Sequence, residues 1–244
     1  DRISAFKEIL YDSFRDEFDD TTDIQVFFHH YNKKRFEKLI RENLGKFTHY
    51  VLMPHLDENI QKIIKRIPEK KTIFIDNFPD DVASQSGAIY QDFSCDIYQA
   101  LKSNIDKIEQ YKVINLSLSQ SRFQFVPKGT KAGFKSFCED YELYHSIIRN
   151  ITESNLSKNE LFIIFDDREL LYALKLIQSR KWKLGEDIGI ISFDESPMKE
   201  LLAGGISVLS TDFVQMGKTA ADLVKGKITG QFANPFYLID RNSF

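Results

Sequence analysis

Little in the composition of this 244-residue chain marks it for a specialised class. It has two cysteines, Cys95 and Cys138, far apart in sequence, so a disulfide-stapled scaffold is excluded. One bridge is conceivable, but two free thiols in a reducing compartment is the simpler reading. No apolar run approaches the ~18 residues that a membrane-crossing helix requires, and no signal peptide opens the chain. An excess of positive charge is missing as well. The formal net charge is −3, and gripping nucleic acid needs a concentrated positive field. The cluster Lys33, Lys34 and Arg35 reads as a solvated helix face. Catalytic signatures are absent: there is no G-x-S-x-G, H-E-x-x-H, C-x-x-C, P-loop or G-x-G-x-x-G. Gly204 and Gly205 precede a strand pattern, so they cannot cradle phosphate on a helix N-terminus. The expectation is a cytoplasmic protein off the membrane, with no metal, no cofactor and no enzymatic activity.

What is present is alternation. A helical pattern runs from about Ser4 to Phe18, with Phe6, Ile9, Leu10, Phe14 and Phe18 on one face. Strand patterns follow at Ile24–His30, His49–Pro54, Lys71–Asn77 and Ala88–Asp92, with helices near Lys33–Asn43, Glu58–Ile67 (capped by Asp57) and Phe93–Lys107. The rhythm restarts with strands at Tyr111–Ser119, Glu160–Asp167, Asp187–Glu195 and Gly205–Asp212, and a last one near Phe236–Ile239. Helices are expected at Pro127–Tyr141, Arg168–Trp182 and Phe213–Gly226. Alternation of this kind implies parallel sheets covered on both faces, and runs such as "LFIIF" and "IGIIS" fit that burial. The fold class is therefore α/β, with two series of similar length forming two doubly wound lobes. "DRISAFKE" reads as a strand end entering a helix, so the chain is expected to continue upstream.

In open α/β sheets, ligands bind beyond the carboxyl ends of the strands. The polar residues there are His29, His30, His55, Asp76, Asn77, Asp92, Asp166, Asp167, Asp194, Glu195, Thr211 and Asp212. Most are hydrogen-bond acceptors. With aromatics such as Phe6, Phe125 and Phe213 near them, they suit a polyhydroxylated ligand, because hydroxyls donate to carboxylates and the apolar face of a sugar ring lies on an aromatic. Each also has a plain structural role open to it: Asp92 or Asp167 as a helix cap, Asp76–Asn77 as turn residues before Pro79. The adjacent His29–His30 pair lacks metal-ligand spacing.

The stretch "SFDESPMKELLAGGISVLSTDFVQMGKTAADLV" resembles the ligand domain of the lactose/galactose-repressor (LacI/GalR) family, whose pattern has a Gly-Phe-Asp-Asp strand end, a helix, Thr-Thr-x-x-Gln and an M-G-containing helix. "LGEDIGIISFDE", "IIFDDRELLYALKLI", "KAGFKSF", "YQDFSCDIYQAL" and "FYLIDRNSF" are similar to further family segments. The likeness spans nearly the whole chain and is strongest after Tyr111. "DRISAFKEILYDSF" resembles the subgroup that carries a GntR-type winged-helix head.

The resemblance implies two Rossmann-like lobes of the type I periplasmic-binding-protein-like kind, joined by three crossovers near Glu109, Thr211 and Pro235, with a sugar effector between them. One lobe would hold residues 1–109 and 212–235, the other 110–211 and 236–244. It implies ligand contacts at Asp92, Thr130, Asp166, Asp194, Thr211 and Phe213, with Phe6, Lys7 and His55 on the first-lobe side. Thr130 stands where the family has arginine, so Lys128 or Lys131 would supply the cation. Asp166 replaces an asparagine and Thr211 a glutamine, so the sugar must differ from those of the best-known members. The segment 146–160 is shorter than the family's. A homodimeric transcription regulator follows, with an upstream DNA-binding head and allosteric hinge closure. Two rivals share parts of this reading: a transporter-associated periplasmic sugar-binding protein and a carbohydrate-acting enzyme.

Overall fold

The computed structural model describes residues 5–56, 59–77, 87–118, 126–127 and 129–244. Its contacts divide the chain into two compact units, residues 1–91 with 212–235 and residues 92–211 with 236–244. The first passage between units falls at Gln91–Asp92, ahead of the helix that the sequence reading had assigned to the first lobe. Phe125, Lys128, Asp57 and Pro79 lie outside the described residues.

In chain order, unit one begins with α1 (Ala5–Arg15), α2 (Lys33–Asn43), β1 (Tyr50–Leu52), α3 (Gln61–Ile64), β2 (Thr72–Asp76) and β3 (Gly87–Tyr90). Unit two follows with α4 (Phe93–Lys102), α5 (Ile105–Ile108), β4 (Val113–Ser117), α6 (Gly129–Asp140), β5 (His145–Ile148), β6 (Glu160–Ile164), α7 (Asp167–Ser179), β7 (Gly189–Phe193), α8 (Pro197–Leu201) and β8 (Ser207–Thr211). The chain returns to unit one for α9 (Phe213–Val224) and β9 (Gln231–Ala233), then closes unit two with β10 (Phe236–Ile239).

Unit one carries a parallel sheet of order β1-β2-β3-β9. Its core has two parts. Phe36, Ile40, Ile63 and Phe74 pack on one side; Leu10, Ile89, Phe213 and Met216 join α1, α9 and the sheet on the other. Two sequence expectations fail here. The run Ile24–His30 is not a strand: it joins no ladder, and Val26 and Phe27 are exposed. β composition alone does not make a strand without a partner to satisfy its backbone. This run and β1 both line an apolar cavity of about 720 Å³, together with Leu10, Phe14 and Phe36. The helix expected over Glu58–Ile67 is a single turn at Gln61–Ile64, ahead of Pro68.

Unit two has a six-stranded sheet, β10-β8-β7-β6-β4-β5. Every pairing is parallel except β10, which runs antiparallel to β8 with Phe236 opposite Thr211. The sheet is thus not wholly parallel, and β5 and β9 are elements that the sequence does not mark, whereas α8 is the helix that the family pattern puts after the strand end. β7 is buried at every position, and Leu161, Phe162, Ile190 and Ile191 are sealed from solvent. Each such side chain contributes roughly 1.5–3 kcal/mol relative to exposure. The expected helix over Phe93–Lys107 divides into α4 and α5, with Asn104 between them. Both thiols are free; Cys138 is buried, which pushes its thiol up to about 12.

Two glycines explain how closely α4 and α6 approach. A Cβ at Gly133 would stand 2.2 Å from the Ser94 carbonyl oxygen, and one at Gly129 2.7 Å from the Ser94 nitrogen. The Gly-Phe of "KAGF" is therefore a packing device, with Phe134 fully buried beside it. Gly133→Ala forces the two helices apart. It should destabilise unit two by about 1–3 kcal/mol, read as a lower urea midpoint with an unchanged denaturant slope.

Candidate functional site

Each unit gathers polar groups where its strands end. In unit one, β2 finishes on Asp76, whose backbone is left-handed (φ 67°) and whose Oδ2 lies 2.6 Å from His55 Nε2. Both partners are buried. Non-glycine residues rarely take this conformation, at a cost of about 1 kcal/mol or more. The bonds around Asp76 hold it there: its carbonyl accepts from Gln91 N at 2.9 Å as well. The carbonyls after β1 take two further donors, Asn77 Nδ2 on Pro54 O (3.2 Å) and His29 Nε2 near Met53 O (3.3 Å). Burial pushes His29 down to about 4, aided by nearby positive groups and opposed by the Met53 bond.

Phe6 stacks on Phe213 with ring centroids 4.6 Å apart, and Lys7 Nζ sits 5.0 Å from the Phe6 ring and 5.7 Å from Tyr31. Phe213 is thus part of the α1–α9 core, whereas the sequence placed it near the rim of a pocket. Asn234 escaped the sequence reading. It is buried, its N–H donates to Tyr90 O (2.8 Å), and its Nδ2 donates to Asp212 O and Pro235 O, both at 3.1 Å. One residue, through its backbone N–H and its side chain together, therefore bonds residues beside all three passages between units.

In unit two, several expected ligand residues serve as helix caps. Asp92 Oδ1 accepts from Cys95 N at the start of α4, and Asp166 Oδ1 accepts from Arg168 N at the start of α7. Asp166, not Asp167, caps α7. Asp167 instead pairs with Lys199 Nζ at 2.9 Å. Asp194 follows β7 in a left-handed conformation (φ 61°). Glu195 is engaged by Arg241 Nη2 at 2.5 Å. Thr211 is buried at the end of β8, with Phe236 opposite. Beneath these ends Phe165 stacks on Phe193 at 3.9 Å. Glu169 accepts from the Ser117 hydroxyl, and burial raises its carboxyl.

Some buried polar atoms here have no hydrogen-bond partner among the described residues. They are Gln91 Nε2 and Oε1 and His29 Nδ1 in unit one, and Thr130 Oγ1 and Asp96 Oδ2 in unit two. Buried polar groups are ordinarily satisfied, so each of these is an open hydrogen-bonding position among the described residues. Gln91 and Asp96 were not singled out from sequence. The sign available was their place directly after β3 and in the first turn of α4. Among the described residues no three His, Cys, Asp or Glu side chains gather as a metal site, and no helix is long and apolar enough to cross a membrane.

Burial, reinforced by Asp92, pushes the Asp96 carboxyl up to about 7. An acid raised in the folded state keeps its proton where the unfolded chain has lost it. Its cost therefore grows as pH rises from about 4 and is complete above about 7. Asp96→Asn should stabilise the protein more at pH 8 than at pH 5, measured by urea denaturation. His29 runs the other way: being held neutral, it costs stability as pH falls from about 6.5 toward 4.

Comparison with known proteins places this geometry. The profile of the periplasmic binding protein-like domain matches residues 116–237, half of the chain. No curated protein sequence matches it. Among solved structures, a LacI family transcriptional regulator from Silicibacter pomeroyi is 14% identical, with a TM-score of 0.77 over 100% of this chain and 96% of that one. A dimeric Lac repressor with a C-terminal deletion is 11% identical, with a TM-score of 0.75 over 98% and 94%. The Lac repressor dimer bound to operator and the anti-inducer ONPF is 12% identical, with a TM-score of 0.74 over 98% and 90%. The chain thus has the fold of the LacI-type repressors, and it belongs to the periplasmic binding protein-like domain family.

Proposed function

We propose that this chain is the effector-binding, dimerising domain of a bacterial transcription regulator in the cytoplasm, and that its effector is a monosaccharide or a related polyhydroxylated molecule. The observation that carries the reading is a set of buried polar atoms without a partner among the described residues, on Gln91 directly after β3, on Thr130 and Asp96 in the first turns of α6 and α4, and on His29 ahead of α2. The set mixes donors and acceptors, and a hydroxyl is the group that answers both. Asp194 adds a half-buried carboxylate after β7. Asp92 and Asp166 each retain an oxygen beyond the one that caps a helix, and Thr211, Lys7 and His55 stand at neighbouring strand and helix ends. Family membership supports the regulator reading, and one similar structure is a repressor dimer bound to both operator and a small molecule.

On this reading the effector engages the strand ends of both units and favours their closed arrangement, a hinge motion about the three passages that Asn234 clasps. Closure alters how a dimer presents its DNA-binding heads, with a coupling of about 1–3 kcal/mol between effector and operator. Asp194 is the residue whose loss should matter most. Asparagine is the suitable replacement, because it tolerates the left-handed backbone that alanine would strain.

Thermal shift against a panel of monosaccharides and sugar phosphates tests the proposal. A ligand at 100 times its Kd should add about 2.7 kcal/mol of stability and be recovered unchanged. Asp194→Asn should fold normally and lose that shift. Consumption of the sugar would identify an enzyme instead, and silence across the panel would remove the sugar from the proposal.

A further inference from the structure

Lys199 is, among the described residues, the only buried lysine or arginine, 2% exposed. An ammonium withdrawn from water is tolerated when every donor is used. Lys199 Nζ has three donors and three acceptors: Phe193 O at 2.6 Å, Asp194 O at 2.8 Å and Asp167 Oδ1 at 2.9 Å. The match is complete, so Lys199 has no donor left for a ligand. Its task is to hold protein.

What it holds is the conformation of Asp194. The peptide group before this residue is fixed at both poles: Phe193 O accepts from Lys199, and Asp194 N donates to Leu209 O at 2.8 Å. The peptide group after it is fixed likewise: Asp194 O accepts from Lys199, and Glu195 N donates to Ser210 Oγ at 3.0 Å. Two immobilised peptide planes determine the torsions of the Cα between them. That Cα sits at φ 61°, a state that persists for a non-glycine residue only where its surroundings over-determine it. β8 supplies the two acceptors for the N–H groups, and Lys199 alone supplies the donor for both carbonyls. Through Asp167 the same ammonium also joins the turn after β7 to the turn after β6.

We infer that Lys199 is the positioning residue for Asp194, locking the strand-end carboxylate in its left-handed backbone and tying the turns after β6 and β7 into one rigid surface. Its bearing on ligand binding rests on the function proposed above; the positioning does not. A buried cation that merely filled space would leave the two turns independent. The short α8 exists on this view to deliver the ammonium: Pro197 starts it and Lys199 lies in its first turn, five residues beyond the carbonyl it clamps.

The test is amide hydrogen exchange in the whole chain, comparing the parent with Lys199→Met, Lys199→Gln and Asp167→Asn. Lys199→Met should accelerate exchange at Asp194 and Glu195 by about tenfold or more, while Ile190 and Ile191 in mid-strand change by less than about threefold. Asp167→Asn, which leaves both carbonyl bonds in place, should stay within about threefold at all four. If Lys199→Met does not fold, Lys199→Gln, with a donor for one carbonyl, should show the same local pattern at smaller size. Unchanged exchange at Asp194 and Glu195, or uniform acceleration along β7, would falsify the positioning role. A sugar that shifts the parent melt should bind Lys199→Met about tenfold more weakly. A loosened turn with undiminished binding would uphold the positioning and overturn Asp194 as a ligand residue.

Discussion

A parallel strand covered on both faces keeps its charged side chains to its ends. That constraint shapes the polar chemistry of this protein. Past Glu160 at its start β6 is apolar, and β7 carries no charge, its one polar side chain, Ser192, donating to Ile164 O; carboxylates follow immediately after both strands. The backbone must then turn sharply as it leaves the strand. Asp76 and Asp194, one in each unit, take that turn in the left-handed region. Each is secured by a buried basic side chain, His55 through the carboxylate in the first and Lys199 through the carbonyl in the second. The imidazole of His55 bonds the Asp76 carboxylate, whereas Lys199 engages Asp194 through its backbone.

The passages between units obey a related economy of hydrogen bonds. Asp212 N bonds to Pro235 O, Thr211 faces Phe236 in the β8–β10 ladder, and Asn234 reaches Tyr90, Asp212 and Pro235. Segments joined in this way bend together.

Much of this was legible beforehand because periodicity reports burial. Continuous apolar runs such as Leu161–Phe165 located the strands of unit two, and the 3–4 spacing of Phe6, Ile9, Leu10 and Phe14 located α1. The same signal failed at Ile24–His30, where strand formation depends on a neighbour that local sequence does not specify. β5 and β9 were missed because short strands with partly exposed positions leave no clear pattern. At the site, the chemical types at strand ends could be read, but not their assignments. Whether Asp166 or Asp167 capped α7 rested on one residue of register. Lys199 and Asn234 were invisible, since a lysine in "SPMKELL" reads as a surface residue until its three acceptors are seen. The LacI-type fold was recoverable from motifs despite the low identity of its structural relatives.

The edge of unit one's sheet carries a different implication. β1 is three residues long, it has β2 beside it and no other strand among the described residues, and the apolar run with exposed Val26 and Phe27 lies across the same cavity. Edges of this kind are templates for a second polypeptide. With a net charge of −3 there is little mutual repulsion to offset such pairing, so this corner is where association of copies would be expected to begin as concentration rises, and salts that strengthen apolar burial would hasten it.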